Sequence, residues 1–491
     1  MAADALTTDV VVVGAGPVGM MLAGELAHGG VGVVVVEKRR APSTESRAST
    51  LHARTMEILD SRSLLPEFGD PPNEPRGHFG GIPLDLTLPS SHPGQWKVPQ
   101  TRTEVILGEW ALSLGAELQC KHELTALDDS GDLVEAEAAG PDGRTLRLRC
   151  RYLVACDGEE STVRRLIGAD FPGRDATREL LRADVAGIGI PGRRFERLEH
   201  GLAIAARRPD GVTRVMVHEF GSAARARPHG DASFEEITAV WKRVTGEDIS
   251  GGTPLWANAF GDASRQLTRY RHGRVLFAGD AAHRQMPVGG QALNLGMQDA
   301  FNLGWKLALV VRGKAPQTLL DSYHDERHEV GRQVLANIRA QSLLLLGGPE
   351  VEPLRDLLTE LIGQEDVRRR LAGMISGLDV RYDVGGPAHP LLGARLPCTE
   401  VRARRRLLTT THLVRSGGGV LLDLTGRPGR PPAVLDGWAD RVTALDAQPS
   451  PGSSLQSTDR VLVRPDGHVA WAGPGTDGLA EALTRWFGPP R

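Results

Sequence analysis

The 491-residue chain has no apolar run near the roughly 18 residues that a membrane span needs, which excludes a membrane-embedded class. It carries almost no net charge: 58 Lys and Arg face 61 Asp and Glu, a formal −3. That balance gives no electrostatic argument for a nucleic acid or a membrane surface as partner. Cysteine is scarce. Cys120, Cys150, Cys156 and Cys398 include no CxxC and no metal-ligand spacing, so no metal is expected, and reduced thiols in a cytoplasmic enzyme fit best. Asp4 stands where a secretory signal has its basic region, so export is not expected. No Gly-x-Ser-x-Gly is present, which leaves a hydrolase reading without its nucleophile. With 59 Gly and 32 Pro the chain stays below the ~25–30 % combined share that marks low complexity. At about 150 residues per domain, the length allows roughly three folded units.

What is present begins as a βαβ unit. Residues 9–13 read as a buried parallel strand, 18–28 as a helix ended by Gly29-Gly30, and 31–36 as the next strand. Prolines crowd 70–100 and disfavour helices there. A helix over 101–114 follows, then strands near 118–127 and 146–156 with a turn at Pro141-Asp142-Gly143. Residues 180–260 alternate apolar and polar, as in Val212-Thr213-Arg214-Val215-Met216-Val217, which predicts an antiparallel sheet. A strand at 274–278 returns to the first pattern, and long helices are expected near 293–312 and 317–346. Beyond a Gly- and Pro-rich stretch at 385–397, the tail has strands at 420–424 and 461–464, a turn at Pro465-Asp466-Gly467 and a closing helix at 478–487.

Gly14-Ala15-Gly16-Pro17-Val18-Gly19 matches GxGxxG between the first strand and its helix, and Glu37 ends the next strand. In that context Gly14 permits a tight turn, Gly16 lets the backbone approach a pyrophosphate, and Gly19 allows close helix–strand packing. The helix N-terminus favours the phosphate charge. Glu37 can accept from ribose hydroxyls. A second signal separates FAD from NAD. The strand ending in Gly279-Asp280 is followed by Pro287-Val288-Gly289-Gly290-Gln291 and then a helix. Asp280 can accept from a ribityl hydroxyl. Gly289 and Gly290 can present bare amides, and a helix N-terminus aimed at the pyrimidine end of a reduced flavin would stabilise its negative charge.

With these two signals and Asp157-Gly158, Ser161 and Arg164 in order between them, the chain resembles the FAD-dependent class A aromatic hydroxylases. His78–Pro83, Trp241–Gly246, Leu320–His324 and the tail Val463–Trp471 are similar to the bacterial aromatic polyketide hydroxylases of the angucyclinone branch. The resemblance covers essentially the whole chain. It implies an α/β fold of three domains. A Rossmann-type FAD-binding domain with a helical region would take 1–75, 101–179 and 265–385. An antiparallel-sheet substrate domain would take 76–100 and 180–264, and a thioredoxin-like domain without a CxxC would take 390–491.

The resemblance also implies the site. Gly14, Gly16, Pro17, Val18 and Gly19 would face the pyrophosphate, and Glu37 and Lys38 the adenosine ribose. Arg47 would lie by the pyrophosphate or flavin, Gln100 by the flavin chain, and Leu124 would give a backbone contact near the adenine. Asp157 and Gly158 would serve FAD and the incoming nicotinamide cofactor, and Asp280 the ribityl chain. Pro287, Gly289 and Gly290 would form the flavin face, with Ala292, Leu293 and Asn294 at the ring edge. NADPH, with NADH the other option, would reduce FAD. With O2 a flavin C4a-hydroperoxide would then hydroxylate a phenolic ring of a polycyclic aromatic polyketide. Baeyer–Villiger insertion beside a ketone stays open, as does a flavin-binding partner protein without redox chemistry. The expected partners are the aromatic substrate and O2, with a homodimer left open. No side-chain base is identified.

Some residues depart from the family pattern or invite another reading. Ala292 stands where the pattern has Gly, and Arg284 and Gln285 replace an apolar residue and His. If position 292 needs φ > 0, Ala costs ~1 kcal/mol or more. His324 and His328 are four apart on an expected helix, but the intervening Glu326 is one place late for HExxH, so a solvated helix face is expected rather than zinc. The arginine run at 402–406 reads as solvated surface.

Overall fold

The computed structural model describes all residues except 1–4, 43–47, 142, 209, 226, 228–231, 404–405 and 427–431. The turn expected at Pro141-Asp142-Gly143 therefore lies partly outside the described residues, as does the arginine run. Four consecutive valines, Val10 to Val13, are at most 5 % exposed. A run buried on both faces fits only inside a covered sheet. Their strand, Leu6–Val13, pairs in parallel with Val33–Glu37 on one side and Thr145–Ala155 on the other. Glu117–Cys120 and Val275–Phe277 extend the sheet in parallel at its two flanks. Val134–Ala139 and Glu123–Asp128 add antiparallel strands beyond the first half of Thr145–Ala155, and Arg271–His272 adds one beside Val275–Phe277, giving an eight-stranded mixed sheet. The single strand expected near 118–127 is thus two, broken where Lys121 takes φ +60.

The stretch 180–260 forms a five-stranded antiparallel sheet in the order Arg193–Leu198, Gly201–Arg207, Thr213–Glu219, Glu179–Ala186, Thr253–Gly261. Its alternation sorts two faces. Leu181, Ala183, Val185, Val215 and Val217 pack on Ile237, Trp241 and Val244 of a helix, Phe234–Thr245, that the alternating pattern had not suggested. Leu180, Leu202, Ile204, Met216 and Phe260 face the other way and meet Met286, Val288 and the far end of the long helix Asp321–Leu346. Residues 76–100 add no strand to this sheet. They form a hairpin, Arg76–Phe79 with Ile82–Asp85, and a strand, Gln95–Lys97, that pairs with Thr50–His52 and Asn73–Glu74.

The helix Gln291–Val311 crosses the first helix, Pro17–His28, and roofs the parallel sheet. Two further helices, Glu352–Ile362 and Glu365–Ser376, follow the long one and were not expected. The tail is a six-stranded mixed sheet, in which Gly419–Asp423 runs parallel to Val442–Pro449 and antiparallel to Arg460–Val463, with the closing helix Leu479–Phe487 against it.

Candidate functional site

The turn after the first strand brings backbones close together. Gly14 has φ +101, and a Cβ there would stand 2.4 Å from the Cys156 carbonyl oxygen. A Cβ on Gly19 would stand 1.9 Å from the Gly14 carbonyl oxygen, so helix and turn touch. Gly16 is the N-cap of the first helix, which no side chain caps and which Pro17 begins. Among the described residues, nothing outside its own turn of chain lies within 4 Å of where a Gly16 Cβ would be. The helix thus starts with amides that lack intrahelical partners beside open space, a shape that suits a pyrophosphate. The Val18 side chain packs toward Gly279 and Gly296.

Glu37 is 7 % exposed. Its Oε2 accepts from the Ala15 amide at 2.7 Å, and its Oε1 accepts from the Arg39 amide and Nε at 2.8 and 3.0 Å. Burial pushes its carboxyl up, but those donors hold it below the ordinary value. A carboxylate has about four acceptor sites, so one lone pair of Oε2 is left for a ribose hydroxyl. Arg39 is the partner the sequence reading missed. In the bend after the strand Lys38 is exposed, and Arg39 folds back onto Glu37. Gln100 begins the helix Gln100–Ser113. Its Oε1 accepts from the Ala48 amide at 3.2 Å and its Nε2 donates to Glu104 at 2.9 Å. It therefore braces the end of the segment that carries Arg47, which itself lies outside the described residues. Leu124 is buried and paired with Ala138 in the sheet.

Asp157 leaves the sheet beside Gly14. Its Oδ2 accepts from the Val163 amide at 3.1 Å, while Oδ1 is buried with no partner among the described residues. Burial raises its pKa despite the bonds from Ser161 and Val163. Gly158 next to it has open space around it. Ser161 caps the short helix Thr162–Leu166, and Arg164 donates to the carbonyls of Glu159 and Ala281 at 2.5 and 3.1 Å. Arg164 thereby ties this loop to the Gly279-Asp280 turn. Asp280 is exposed on that turn. His283 is fully buried, with Nε2 2.8 Å from Asp299 Oδ2. Asp299 also accepts from the Gly279 amide and from Arg327 Nε. Arg284 pairs outward with Glu159 and Glu160.

Pro287 is exposed where the chain turns under the five-stranded sheet. Gly289 and Gly290 have φ +64 and +69 and open the helix Gln291–Val311, again without a side-chain cap. Ala292 does not have positive φ, so its methyl carries no backbone strain. Ala292 and Leu293 are half-buried on the first turn. Asn294 is buried. Its Oδ1 accepts from the His52 amide at 2.8 Å, and its Nδ2 donates to the carbonyls of Thr50 and Gly290 at 3.0 and 2.7 Å. His52 Nε2 lies 2.7 Å from the Gly289 carbonyl oxygen. His52 was not singled out from sequence because its partner Gly289 lies far away in the chain; Arg39 was passed over although its partner Glu37 is only two residues away.

Among the described residues, some of the buried polar atoms without a partner lie on these segments: Asp157 Oδ1, His52 Nδ1, His283 Nδ1 and both amide atoms of Gln285. Unsatisfied buried groups of this kind are costly in a finished core, and here they border the open turn and the uncapped helix starts. A polar, phosphate-bearing ring system such as FAD fits such a cradle. The zinc-like pair is otherwise engaged: His324 Nδ1 accepts from the Tyr270 amide, and His328 Nε2 lies 3.0 Å from the Leu267 carbonyl. No metal-holding cluster exists among the described residues. No helix among them is long and apolar enough to cross a membrane.

Residues 7–338 match the FAD binding domain family, and residues 389–490 match the family described as aromatic-ring hydroxylase, C-terminal. The chain is similar to CabE, an aromatic hydroxylase from angucycline biosynthesis, at 49 % identity and TM-score 0.93, covering 99 % of this chain and 100 % of that one. It is 43 % identical to a 12-dehydrotetracycline 5-monooxygenase/anhydrotetracycline 6-monooxygenase of Streptomyces rimosus subsp. rimosus, over 98 % of this chain and 99 % of that protein. It is also 38 % identical to a dialkyldecalin synthase of Streptomyces rugosporus, over 99 % and 100 % of the two chains.

Proposed function

Since the chain belongs to the FAD-binding aromatic-ring hydroxylases, we propose that it is a flavin-dependent monooxygenase that hydroxylates a polycyclic aromatic polyketide of the angucyclinone type, with NADPH as reductant. The observation that carries the reading is the pair of left-handed glycines, Gly289 and Gly290, at an uncapped helix start beneath the apolar face of the five-stranded sheet. Bound FAD supplies hydride acceptance and oxygen activation. The chain binds, orients and keeps the site dry. Gly14, Gly16, Pro17 and Gly19 hold the pyrophosphate, Glu37 the ribose, and Asp157, Gly158 and Asp280 the remaining hydroxyls and phosphate oxygens. The helix starting at Gln291, with Ala292, Leu293 and Asn294 on its first turn, stabilises negative charge at the pyrimidine end of the ring. Leu180, Leu202, Ile204, Met216 and Phe260, with Met286 and Val288 below, give a planar aromatic substrate an apolar roof and exclude water. We read the tail as thioredoxin-like. The parallel pair Gly419–Asp423 with Val442–Pro449, followed by the antiparallel pair Arg460–Val463 with Val469–Gly473, supports that reading. With Cys398 its lone cysteine, the tail has no redox pair.

The test is anaerobic. The flavin-loaded protein is mixed with NADPH, with and without an angucyclinone, and the loss of flavin absorbance is followed. Bleaching faster with the aromatic present is the expected result, and NMR of the aerobic product separates hydroxylation from Baeyer–Villiger insertion. The similarity to a dialkyldecalin synthase favours one other reading, a flavin-binding catalyst without redox turnover. Tight FAD with no bleaching under either condition would move the assignment there.

A further inference from the structure

The carbonyls of the two left-handed glycines are each held by a side chain. His52 takes the Gly289 oxygen at 2.7 Å, and Asn294 Nδ2 takes the Gly290 oxygen at 2.7 Å. Asn294 also clamps the strand that carries His52, through the His52 amide and the Thr50 carbonyl. A Cβ on Gly290 would stand 3.1 Å from Thr50 Cβ and 3.6 Å from His52 Nε2, so the imidazole sits tight against the turn. In a trans peptide the N–H points opposite to the C=O of the same plane. Pulling the Gly289 oxygen toward His52 therefore turns the Gly290 N–H away from it. Pulling the Gly290 oxygen toward Asn294 does the same for the Gln291 N–H. The two amides at the helix start thus have a set direction.

Resting on the flavin reading above, we infer that His52 is a positioning residue of the flavin site: through its bond to the Gly289 carbonyl it aims the Gly290 amide at the flavin ring. The Gly289 oxygen can only accept, so Nε2 carries the proton and Nδ1, which is buried with no partner among the described residues, does not. Burial pushes the imidazole down to about 4, which keeps this single tautomer at working pH. A lost aim has a defined signature. The amide no longer meets the charge that forms on the reduced ring, so reduction becomes harder and FAD is held less tightly.

The test uses flavin-loaded wild type, His52→Gln, His52→Asn and His52→Leu without substrate or NADPH. It reads the flavin midpoint potential by dye equilibration and the FAD dissociation constant by fluorescence on dilution. The Gln amide nitrogen can occupy the place of Nε2 and donate to Gly289. The Asn amide is too short, and Leu has no donor. The expected result is His52→Gln within about twofold of wild type, and His52→Leu and His52→Asn with FAD binding weakened about tenfold and a lowered potential. If the Leu variant does not fold, the Gln–Asn contrast decides alone. Equal behaviour of Gln and Asn, or an unchanged potential in Leu, overturns the role. Neither readout needs hydroxylation, so a protein that binds FAD and oxidises nothing still decides it.

Discussion

At the residue scale, Ala292 shows how one dihedral decides the meaning of a substitution. Against a Gly in the family pattern, Ala would be a strained intruder if the backbone were left-handed there. The left-handed positions are Gly289 and Gly290, one turn earlier, and Ala292 already lies inside the helix. Its methyl therefore helps the helix, since Gly in a helix is less favourable than Ala by ~1 kcal/mol. Ala292→Gly is expected to lower thermal stability by up to ~1 kcal/mol and to leave the rate of anaerobic flavin reduction within about twofold, checked by thermal melts and stopped-flow bleaching. A large gain in reduction rate would instead mean that the methyl displaces the ring.

At the element scale, the long helix Asp321–Leu346 ends under a single arginine of the five-stranded sheet. Arg197 donates to the carbonyls of Leu344, Leu345, Gly347 and Gly348, pairs with Glu352 at 2.6 Å and lies over the Phe220 ring. The last carbonyls of a helix have no intrahelical partner, and this guanidinium supplies several at once. Arg197→Ala is expected to cost about 2–4 kcal/mol in denaturant unfolding, with Arg197→Lys recovering only part because one ammonium cannot span four oxygens. Nothing in the sequence announces this cap, because the arginine and the helix end lie far apart in the chain. The βαβ opening, the Gly279-Asp280 strand and the two long helices were legible because their signals are local: valine runs, glycine turns, 3.6-residue periodicity. The helix Phe234–Thr245 was missed inside an alternating stretch although Ser233 caps it with Glu236 three residues on and the left-handed Gly246 ends it. The helix Glu352–Ile362 was missed although Leu354, Leu357, Leu358 and Leu361 stand at helical spacing in it; none of its residues is fully buried. In the site, the glycine motifs were readable by spacing, whereas His52 acts through a contact across the chain that spacing does not encode.

At the scale of the whole molecule, the tail is fastened to the flavin-binding part by buried charge. The turn Pro465-Asp466-Gly467 is indeed a hairpin turn, but it also serves as a plug. Arg464 and Asp466 are at most 1 % exposed. Arg464 bonds both oxygens of Glu326 on the long helix, at 2.5 and 2.9 Å, and pairs with Asp466. Lys306 donates to Glu326 at 2.8 Å, Trp305 donates to Asp466 at 3.2 Å, and Arg54 donates to the Asp466 carbonyl at 2.7 Å. Burial pushes the Glu326 carboxyl up, but Arg464 and Lys306 hold it at about 2, below its ordinary 4.5. A folded value below the unfolded one means that this stabilisation is complete above about pH 4.5 and is lost as the pH falls toward 2. His468, pushed down to about 4 by burial beside Asp466, acts in the same direction between pH 6.5 and 4, since the unfolded chain takes up the proton first. The denaturation midpoint is therefore expected to fall as the pH drops below 6.5, where His468 and the buried His52 resist the proton, and to go on falling below 4.5, where Glu326 adds its share. Glu326→Gln removes the carboxylate that Lys306 and Arg464 share and leaves Arg464 with Asp466, a loss of roughly 3–5 kcal/mol at neutral pH, and it removes the titrating group. Its profile should start lower and fall less steeply below pH 4.5 than that of the wild type, Asp466 and Asp299 still contributing. A variant that keeps the wild-type acid slope would place the acid sensitivity in other carboxylates and leave the plug a neutral fastening.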